Sequence, residues 1–540
     1  MKPEQITALV FCLIFFNCSG IKNKSNDEDL PNIVLIIGDD HGYPYFGFMG
    51  ANYVSTPNMD SLANSGILFT NGYVPDNHCR PALQSLITGT LPIDYAHKVK
   101  KIKLNEMKKK SFAAMSKKDQ ESWQDNFKYH SMKYMQTLPG LLSEKGYASF
   151  QTGKWWEYHY EYGGFTDGMT SGWVREQKYG RNWFQQFMGG VGTDIGRVTN
   201  QPIFDFIEKN RDNPFFIWYA PQLPHYPFDA PEKYIKLYEG RGYSKSAVLY
   251  YANCTWFDDA VGELIKYFKT NSLYKNTLFI YVNDNGWEQE PHQEFFNDPM
   301  RSHNGGDKGK LSVYDQSFRT PIIFSWEGHI EKNLRRTDLI HSTDIPATIL
   351  DYVGLMRPKD YDGVSYKDVI EGKKNGERSL IIGNSNRIRD NKDPMGRDVE
   401  TYWIRNKEWF FNWNITDKTK SLYNVNTDPF CNNDQTIENP DIIQLQEVTP
   451  KINEKLEFLE SIFPYSKEIN KFQDTSNNII LSKYPIKKNA NKVHDSVLTK
   501  ILIDETELNF LGIHLYSGLN QKRFNLAKQQ MLIINNLIQY

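Results

Sequence analysis

The sequence predicts an α/β fold built on a mainly parallel sheet flanked by helices, and three observations support this. The stretches "NIVLIIG", "FFIWYA" and "TLFIYV" are continuous apolar runs, which are typical of strands buried on both faces. A long amphipathic helical pattern, "YYANCTWFDDAVGELIKYFKT", precedes the third run, and "TPIIFSW" adds a fourth strand. Each run ends in polar residues or in a loop, as in α/β sheets.

The composition is that of a folded protein without a global electrostatic preference. The chain has 540 residues, a hydrophobic fraction of 39% and a formal net charge of −2 at pH 7. Because this charge is close to zero, no nucleic-acid partner is expected. The lysine-rich, helix-prone stretch from residue 97 to residue 123 is interpreted as a solvated helical surface, with a polyanion-binding face as the alternative.

Residues 1–18 have the layout of a signal peptide. The apolar run "ITALVFCLIFF" follows Lys2 and is too short to span a bilayer. Cys18 directly follows this run and resembles the acylated cysteine of bacterial lipoproteins, with cleavage and release as the alternative. We therefore expect an exported protein, in the periplasm or anchored by a lipid at Cys18 to the outer membrane of a Gram-negative bacterium.

Polar residues directly follow two of the predicted strands. Asp39 and Asp40 end the first, and Asp284 and Asn285 end "TLFIYVN". Open α/β sheets bind ligands at the carboxyl ends of their strands, so these side chains are expected to lie close together. Such hard oxygen donors suit Ca²⁺ or Mg²⁺ better than zinc. Taken alone, each pair is also common in turns and helix caps.

Cys79 stands in the stretch "NHCRPALQSLITGT". Pro81 fits the first turn of a helix, which leaves Cys79 near the N-cap, where backbone N–H groups and the helix dipole favour an anion. A thiol in this position is expected to be reactive or modifiable. Of the five cysteines, Cys12 and Cys18 belong to the leader, and the odd remainder shows no short-range pairing pattern that would predict a disulfide.

The Cys-x-Pro pattern beside Thr88-Gly89, after "TPNMDSLANSGILFTNGY", resembles the type I sulfatases of the alkaline phosphatase superfamily. Further stretches match that family in the same order, from about residue 31 to about residue 429: "TLPGLLSEKGYASFQTGKWW", "PFFIWYAPQLPHYP", "VNDNG", "KLSVYDQSFRTPIIF", "HSTDIPATILDYVGL" and "YDGVS". The resemblance implies an alkaline-phosphatase-like sheet.

The resemblance also implies a mechanism. In that family the cysteine is converted to formylglycine, whose hydrate attacks sulfur. The implied ligands of a Ca²⁺ ion, with Mg²⁺ as the alternative, are Asp39, Asp40, Cys79, Asp284 and Asn285. Lys154, His225 and Lys310 would bind the sulfate oxygens, and His225 would protonate the leaving alcohol. The expected partners are a sulfated carbohydrate as substrate and a formylglycine-generating enzyme for maturation.

Two positions depart from the family pattern. The motif is Cys-x-Pro-x-Arg, but Leu83 stands where the arginine is expected, and Arg80 lies about 100° round the helix from Cys79. Arg80 is therefore not expected to replace that arginine, which assists conversion of the cysteine and steadies the aldehyde. The usual histidine after Lys-Trp is Trp156, an aromatic residue suited to stacking on a sugar ring of the substrate.

We expect four segments, which are a leader at 1–18, a catalytic domain at 31–370, a C-terminal sulfatase subdomain at 371–431 and a tail at 432–540. The patterns "TYWIRNKEWFFNW" and "KSLYNV" predict a small antiparallel sheet in the subdomain. The tail resembles part of the endonuclease/exonuclease/phosphatase family, with Glu447 and His514 at the positions of its glutamate and histidine. This partial α+β segment lacks that family's opening strand, and no nuclease activity is expected from it.

The leading prediction is an exported, metal-dependent sulfatase that acts on a carbohydrate sulfate. A phosphate or phosphonate ester hydrolase of the same superfamily is one alternative, because a metal and an activated nucleophile serve either chemistry. A non-catalytic binder of sulfated glycans is the other, and Leu83 is the reason to consider it.

Overall fold

The structure is a computed structural model that describes residues 30–170, 190–288, 308–389 and 396–436, together with the backbone of six strands between residues 442 and 513. The leader 1–18, with Cys12 and Cys18, and His514 lie outside the described residues. Within the described part of the chain, no helix has the length and apolar character needed to cross a membrane.

An eight-stranded sheet forms the centre of the large domain. Its strands are β1 (Asn32–Gly38), β2 (Ile67–Tyr73), β3 (Ala148–Gly153), β4 (Asp167–Gly168), β5 (Phe215–Ala220), β6 (Thr277–Asn283), β7 (Arg319–Ser325) and β8 (Leu334–His341). They lie in the order β4-β3-β5-β1-β6-β7-β2-β8. The first five strands of this order, β4, β3, β5, β1 and β6, are parallel to one another, so the predicted mainly parallel sheet is confirmed.

The direction of one strand, β7, could not be predicted from the sequence. Strand β7 is antiparallel to both of its neighbours, β6 and β2, whereas β2 and β8 run parallel. The apolar run "TPIIFSW" correctly predicts a strand, but a run buried on both faces carries no signal for direction.

The helices of the described residues are α1 (Pro57–Asn64), α2 (Cys79–Thr88), α3 (Pro92–Met107), α4 (Lys110–Ala113), α5 (Lys117–His130), α6 (Leu138–Leu142), α7 (Gln201–Lys209), α8 (Glu232–Ile235), α9 (Lys245–Thr270), α10 (Asp315–Phe318), α11 (Asp344–Tyr352) and α12 (Lys367–Ile370). Alternate residues of β1 belong to two different apolar clusters, one containing side chains of α2 and α11 and the other side chains of α1, α7 and α9. Helices therefore cover both faces of the sheet, which explains its uninterrupted apolar strands.

A second, four-stranded antiparallel sheet follows, as predicted. Its strands are β9 (Leu380–Ile388), β10 (Arg397–Asn406), β11 (Trp409–Asn414) and β12 (Thr419–Asn424), in the order β12-β11-β10-β9. In the tail, β13 (Ile442–Val448), β14 (Tyr465–Phe472) and β15 (Ser476–Ser482) form one antiparallel sheet, and β16 (Asn491–Val493), β17 (Ser496–Ile503) and β18 (Thr506–Ile513) form another. Glu447 lies on β13.

Candidate active site

Asp39 and Asp40 directly follow β1 at the carboxyl edge of the central sheet. Asp40 has a φ of 59°, in the left-handed region that aspartate tolerates better than most residues. Its N–H donates to Asp284 Oδ1 (3.0 Å), which ties the end of β1 to the end of β6. A Cβ at Gly38 would lie 2.4 Å from Asn283 Oδ1 and 2.6 Å from the Tyr281 hydroxyl, two buried side-chain atoms of β6, which is why glycine fits here.

Asp284 and Asn285 follow β6 and meet the two aspartates, as the sequence predicted. The Asp284 N–H donates to the carbonyl of Gly38 (3.0 Å), and Asn285 Nδ2 donates to Asp40 Oδ1 (2.6 Å). The four polar side chains that follow β1 and β6 have relative exposures of no more than 2%. A cluster of this kind has to be balanced by hydrogen bonds or positive charge.

Lys154 supplies one such charge from the end of β3. Its backbone N–H donates to the Ala220 carbonyl (2.8 Å), which continues the pairing of β3 with β5. Its Nζ donates to Asp39 Oδ1 (2.5 Å) and lies 3.6 Å from Asp284 Oδ2. The position predicted for a sulfate-binding lysine is thus buried against the oxygen donors.

Lys310 and His225 meet at Asp40. Lys310 Nζ donates to Asp40 Oδ2 (2.8 Å), and His225 Nε2 lies 3.5 Å from the same oxygen. His225 lies between the cis peptides that precede Pro224 and Pro227, and its Nδ1 lies 2.5 Å from the Tyr226 carbonyl. With the Nδ1 proton donated to that carbonyl, Nε2 faces the cluster as an acceptor.

The pKa values of the three carboxyl groups shift in different directions. Burial raises the pKa of Asp39 well above its usual range and also raises the pKa of Asp284. Burial acts in the same direction on Asp40, but the cations that face it, led by Lys310, hold its pKa below the ordinary value. Like charges crowded at one buried site are relieved by protons, by lysines or by a metal cation.

The oxygen donors also fit a divalent cation. Asp39 Oδ2, Asp284 Oδ2 and Asn285 Oδ1 are buried, and each is without a hydrogen-bond partner among the described residues. Ligand atoms of Asp39, Asp40 and His225 lie within 4.8 Å of one another. Three carboxylates and an amide oxygen are the donor set that Ca²⁺ and Mg²⁺ take, and buried oxygens without partners are costly unless a ligand satisfies them.

Cys79 is the first residue of α2, with His78 as the N-cap, close to the predicted position. Lys154 and Lys310 both act on its thiol, so it belongs to the same site. Burial nevertheless raises the pKa of Cys79 to about 11. Burial thus favours the protonated thiol, and the expectation of a reactive or modifiable thiol stays a prediction.

The second sheet holds the loop that precedes Cys79. The Pro75 carbonyl accepts from the N–H of Asn384 (3.0 Å) and from Trp403 Nε1 (3.1 Å), and the N–H of Asn77 donates to Ser385 Oγ (3.2 Å). These contacts come from β9 and β10. The small antiparallel sheet therefore takes part in positioning the cysteine.

Arg80 forms an ion pair with Glu157, and the expectation that it does not replace the motif arginine stays a prediction. Its Nε and Nη2 donate to the two carboxylate oxygens of Glu157 (2.8 and 2.9 Å). Leu83, also on α2, packs in the apolar cluster on that face of the central sheet, and its relative exposure is 6%. Trp156 is half-buried, and its ring centroid lies 5.7 Å from Lys154 Nζ.

Sequence reasoning missed Glu288. Its Oε2 lies 3.6 Å from His225 Nδ1 and accepts from the Tyr226 N–H (3.0 Å), and its Oε1 lies 4.0 Å from Lys310 Nζ. Burial raises the pKa of Glu288 to about 7. The available signal was its position three residues after Asn285, just beyond the motif that was matched.

His78, Arg387 and Arg389 were also missed. Burial, followed by the charges of Lys310 and Lys154, lowers the pKa of His78 to about 3. Arg387 is among the charges that act on His78, and Arg389 acts on Glu288 and Asp40. Both arginines come from the end of β9, and no feature of the sequence linked that strand to the site.

Comparisons with known proteins show which family this chain is similar to. A model of the sulfatase family matches residues 31–355, and a second, described as the C-terminal part of N-sulphoglucosamine sulphohydrolase, matches residues 306–461. An arylsulfatase of Clostridium perfringens is 23% identical over 536 residues, covering 84% of this chain and 98% of that protein. Human N-acetylgalactosamine-6-sulfatase is 26% identical, over 61% of this chain and 63% of that enzyme.

Solved structures share the fold. The crystal structure of Ps i-CgsB matches with a TM-score of 0.57 at 20% identity, over 80% of this chain and 93% of that one. BT4656, in complex with its substrate D-glucosamine-2-N,6-O-disulfate, matches with a TM-score of 0.56 at 18% identity, over 81% of this chain and 98% of that one. The family match covers more than half of the chain and includes both strand ends, the cysteine helix and the two lysines. The chain therefore belongs to the sulfatase family, as a type I member of the alkaline phosphatase superfamily and a sulfuric ester hydrolase.

Proposed function

We propose that this protein hydrolyses sulfate esters of a carbohydrate or sulfated polysaccharide through a formylglycine made from Cys79 and a bound Ca²⁺ ion. The observation that carries the proposal is the convergence of four buried oxygen donors, three of which have an oxygen that accepts no hydrogen bond among the described residues, beside a buried cysteine at a helix N-terminus. The family generally uses both the modified residue and a divalent metal, and Mg²⁺ is the alternative ion.

Asp39, Asp40, Asp284 and Asn285 would hold the ion together with the oxygen of the modified Cys79. When bound, the metal would lower the pKa of the attacking oxygen and neutralise charge on the sulfate. The chain contributes the rigid placement of these donors, because each follows a strand whose end is fixed by backbone hydrogen bonds.

Lys154, Lys310 and His225 would bind the sulfate oxygens. Charge accumulates on these oxygens as the sulfur–oxygen bond to the alcohol breaks, so fixed cations stabilise the transition state more than the ground state. Burial lowers the pKa of His225 well below its ordinary value, and a bound sulfate anion acts in the opposite direction. His225 would thereby gain a proton at Nε2 to give to the leaving alcohol, while the Tyr226 carbonyl holds Nδ1 and the charge of Glu288 lies 3.6 Å from it.

Two features support a sugar substrate. Trp156 presents a half-buried ring beside Lys154, where it would stack on the sugar that carries the sulfate. A relative in Formosa agariphila, 24% identical over 72% of this chain and 67% of its own length, is named an ulvan-active sulfatase.

We also propose that the protein is exported, and that the chain divides into the segments 31–370, 371–431 and 432–540, as the sequence patterns indicate.

The test compares turnover of an aryl sulfate and an aryl phosphate by protein co-expressed with a formylglycine-generating enzyme. We expect preferential turnover of the sulfate, loss of activity with EDTA and recovery with Ca²⁺. Preferential turnover of the phosphate would support a phosphate ester hydrolase. Binding of a sulfated glycan without turnover of either ester would support a non-catalytic binder.

A further inference from the structure

The lysine-rich segment folds into a helical layer with a cleft in it. The segment forms helices α3, α4 and α5. Helix α5, Met115 before it and the turn after it line a cleft of about 490 Å³, and the side chains on which the inference rests are Trp123, Asn126, Phe127, His130, Lys133 and Tyr134. This layer is not part of the site that holds Cys79. From the sequence alone its lysines indicate only a solvated surface.

The cleft has an aromatic wall. The ring centroids of Trp123 and Phe127 lie 4.8 Å apart, and those of Phe127 and Tyr134 lie 6.0 Å apart. Tyr134 is 36% exposed, and the Lys133 Nζ lies 5.0 Å from its ring centroid. A partly exposed tyrosine with an ammonium group over its ring suits a ligand that is both ring-shaped and anionic.

The net positive charge of the helical layer also favours an anionic ligand. Residues 98–133 contain eleven lysines against four acidic residues, although the whole chain has a net charge of −2. Lys101, Lys117 and Lys118 are exposed. Asp119 lines the cleft and accepts a hydrogen bond from Ser116 Oγ (2.7 Å) at the start of α5. Glu106 is hydrogen-bonded to Tyr134, and its charge is paired with Lys109 Nζ (2.6 Å). The local field therefore favours a polyanion.

The layer also lies next to the catalytic helix. Arg80, the residue after Cys79, donates from Nη2 to the Lys128 carbonyl (2.8 Å), and its guanidinium carbon lies 4.8 Å from the Tyr129 ring centroid. Trp123 precedes Tyr129 on α5 by six residues, which is about 9 Å along the helix axis. The helix that lines the cleft therefore contacts the residue next to Cys79.

We infer that the cleft is a second glycan subsite. It binds a sugar unit of a sulfated polysaccharide that is several sugar units away from the ester being hydrolysed. The sugar ring stacks on Tyr134, and its anionic group pairs with Lys133. This inference rests on the proposed function and specifies a polymer, rather than a short sugar, as the substrate. Charge complementarity and the continuity with the Cys79 helix single out this occupant.

The test measures binding of full-length Cys79→Ser protein by affinity electrophoresis in gels containing chondroitin sulfate, iota-carrageenan, fucoidan or ulvan. We expect at least one polymer to bind, and Lys133→Glu and Tyr134→Ala each to weaken that binding by about tenfold. Lys133→Arg and Tyr134→Phe should retain it, because charge and ring are kept. The matched control is Lys269→Glu, since Lys269 Nζ lies 4.9 Å from the ring centroid of Tyr274 outside this layer.

The outcomes separate the two proposals. If no polymer binds, or if Lys133→Glu weakens binding no more than Lys269→Glu, the cleft is not a glycan subsite, even where the parent enzyme turns over an aryl sulfate. If the polymers bind through the cleft but no ester is hydrolysed, the subsite stands and the proposed catalytic function fails. Equal loss in Tyr134→Ala and Tyr134→Phe would show a structural role for the tyrosine and overturn the stacking contact.

Discussion

The ion pair between Arg80 and Glu157 gives the most specific prediction for the helix that carries Cys79. Glu157 accepts from Arg80 Nε and Nη2 and from Gln84 Nε2, each within 2.9 Å. The side chains of Arg80 and Glu157 are only 20% and 3% exposed. Replacing Glu157 by glutamine preserves the shape but removes the charge and one acceptor oxygen.

The size of the effect follows from burial. Removing one partner of a fully buried pair costs about 3–5 kcal/mol, whereas an exposed pair contributes about 0–1 kcal/mol. Arg80 keeps some solvent contact and also the Lys128 carbonyl, so we expect Glu157→Gln to lower the free energy of unfolding by about 2–3 kcal/mol. The first turns of α2 loosen with it, and kcat for an aryl sulfate should fall about tenfold.

Urea unfolding measures the loss of stability, provided that the dependence of the unfolding free energy on urea concentration is unchanged. The double variant Arg80→Met, Glu157→Gln should recover part of this loss. Glu232→Gln is the matched control, because its partner Lys236 and Glu232 itself are 63% and 77% exposed, and we expect a change below about 0.5 kcal/mol. A loss in Glu157→Gln no greater than in this control would refute the reasoning.

Three further predictions concern other parts of the chain. Lys310→Ala should lower kcat/KM for an aryl sulfate by about 10²–10³, and unchanged kinetics would remove Lys310 from the site. Burial raises the pKa of Asp258 from 3.8 to about 6, so the folded state retains this proton longer than the unfolded state. Stability of the wild type relative to Asp258→Asn should therefore fall by about 3 kcal/mol as pH rises through that window and stay level above it, and a flat difference in chemical denaturation would contradict this. Leu83→Arg restores the family motif but buries an unpaired charge among apolar side chains, so it should lower the free energy of unfolding by about 3 kcal/mol or more, and a melting temperature at or above the wild type would contradict the packing described.

The central sheet was predictable because burial on both faces leaves a strong sequence signal. Strands β1, β5, β6 and β7 were all identified from apolar runs, and the strand ends located the oxygen donors. The direction of β7 left no such signal. The second sheet was recognised from its alternation, but its contacts with the Cys79 loop depend on tertiary packing.

The site was predictable where an apolar strand ends in oxygen donors or where a stretch resembles the family. Asp39 and Asp284 belong to the first group, and Lys154, His225 and Lys310 to the second. Glu288 and Arg389 belong to neither, because nothing local distinguishes a buried glutamate or arginine from a solvated one. The pKa of Cys79 was also beyond reach, since the helix N-terminus favours a thiolate but burial outweighs it.

The most direct test of the account is mass spectrometry of the peptide that contains Cys79, from protein co-expressed with a formylglycine-generating enzyme. A protease other than trypsin is needed, because the Arg80-Pro81 bond resists cleavage. We predict an aldehyde at Cys79, together with aryl sulfate turnover that Ca²⁺ supports. An intact thiol at Cys79 in protein that turns over an aryl sulfate would contradict the mechanism, and an intact thiol without turnover would contradict the proposed function.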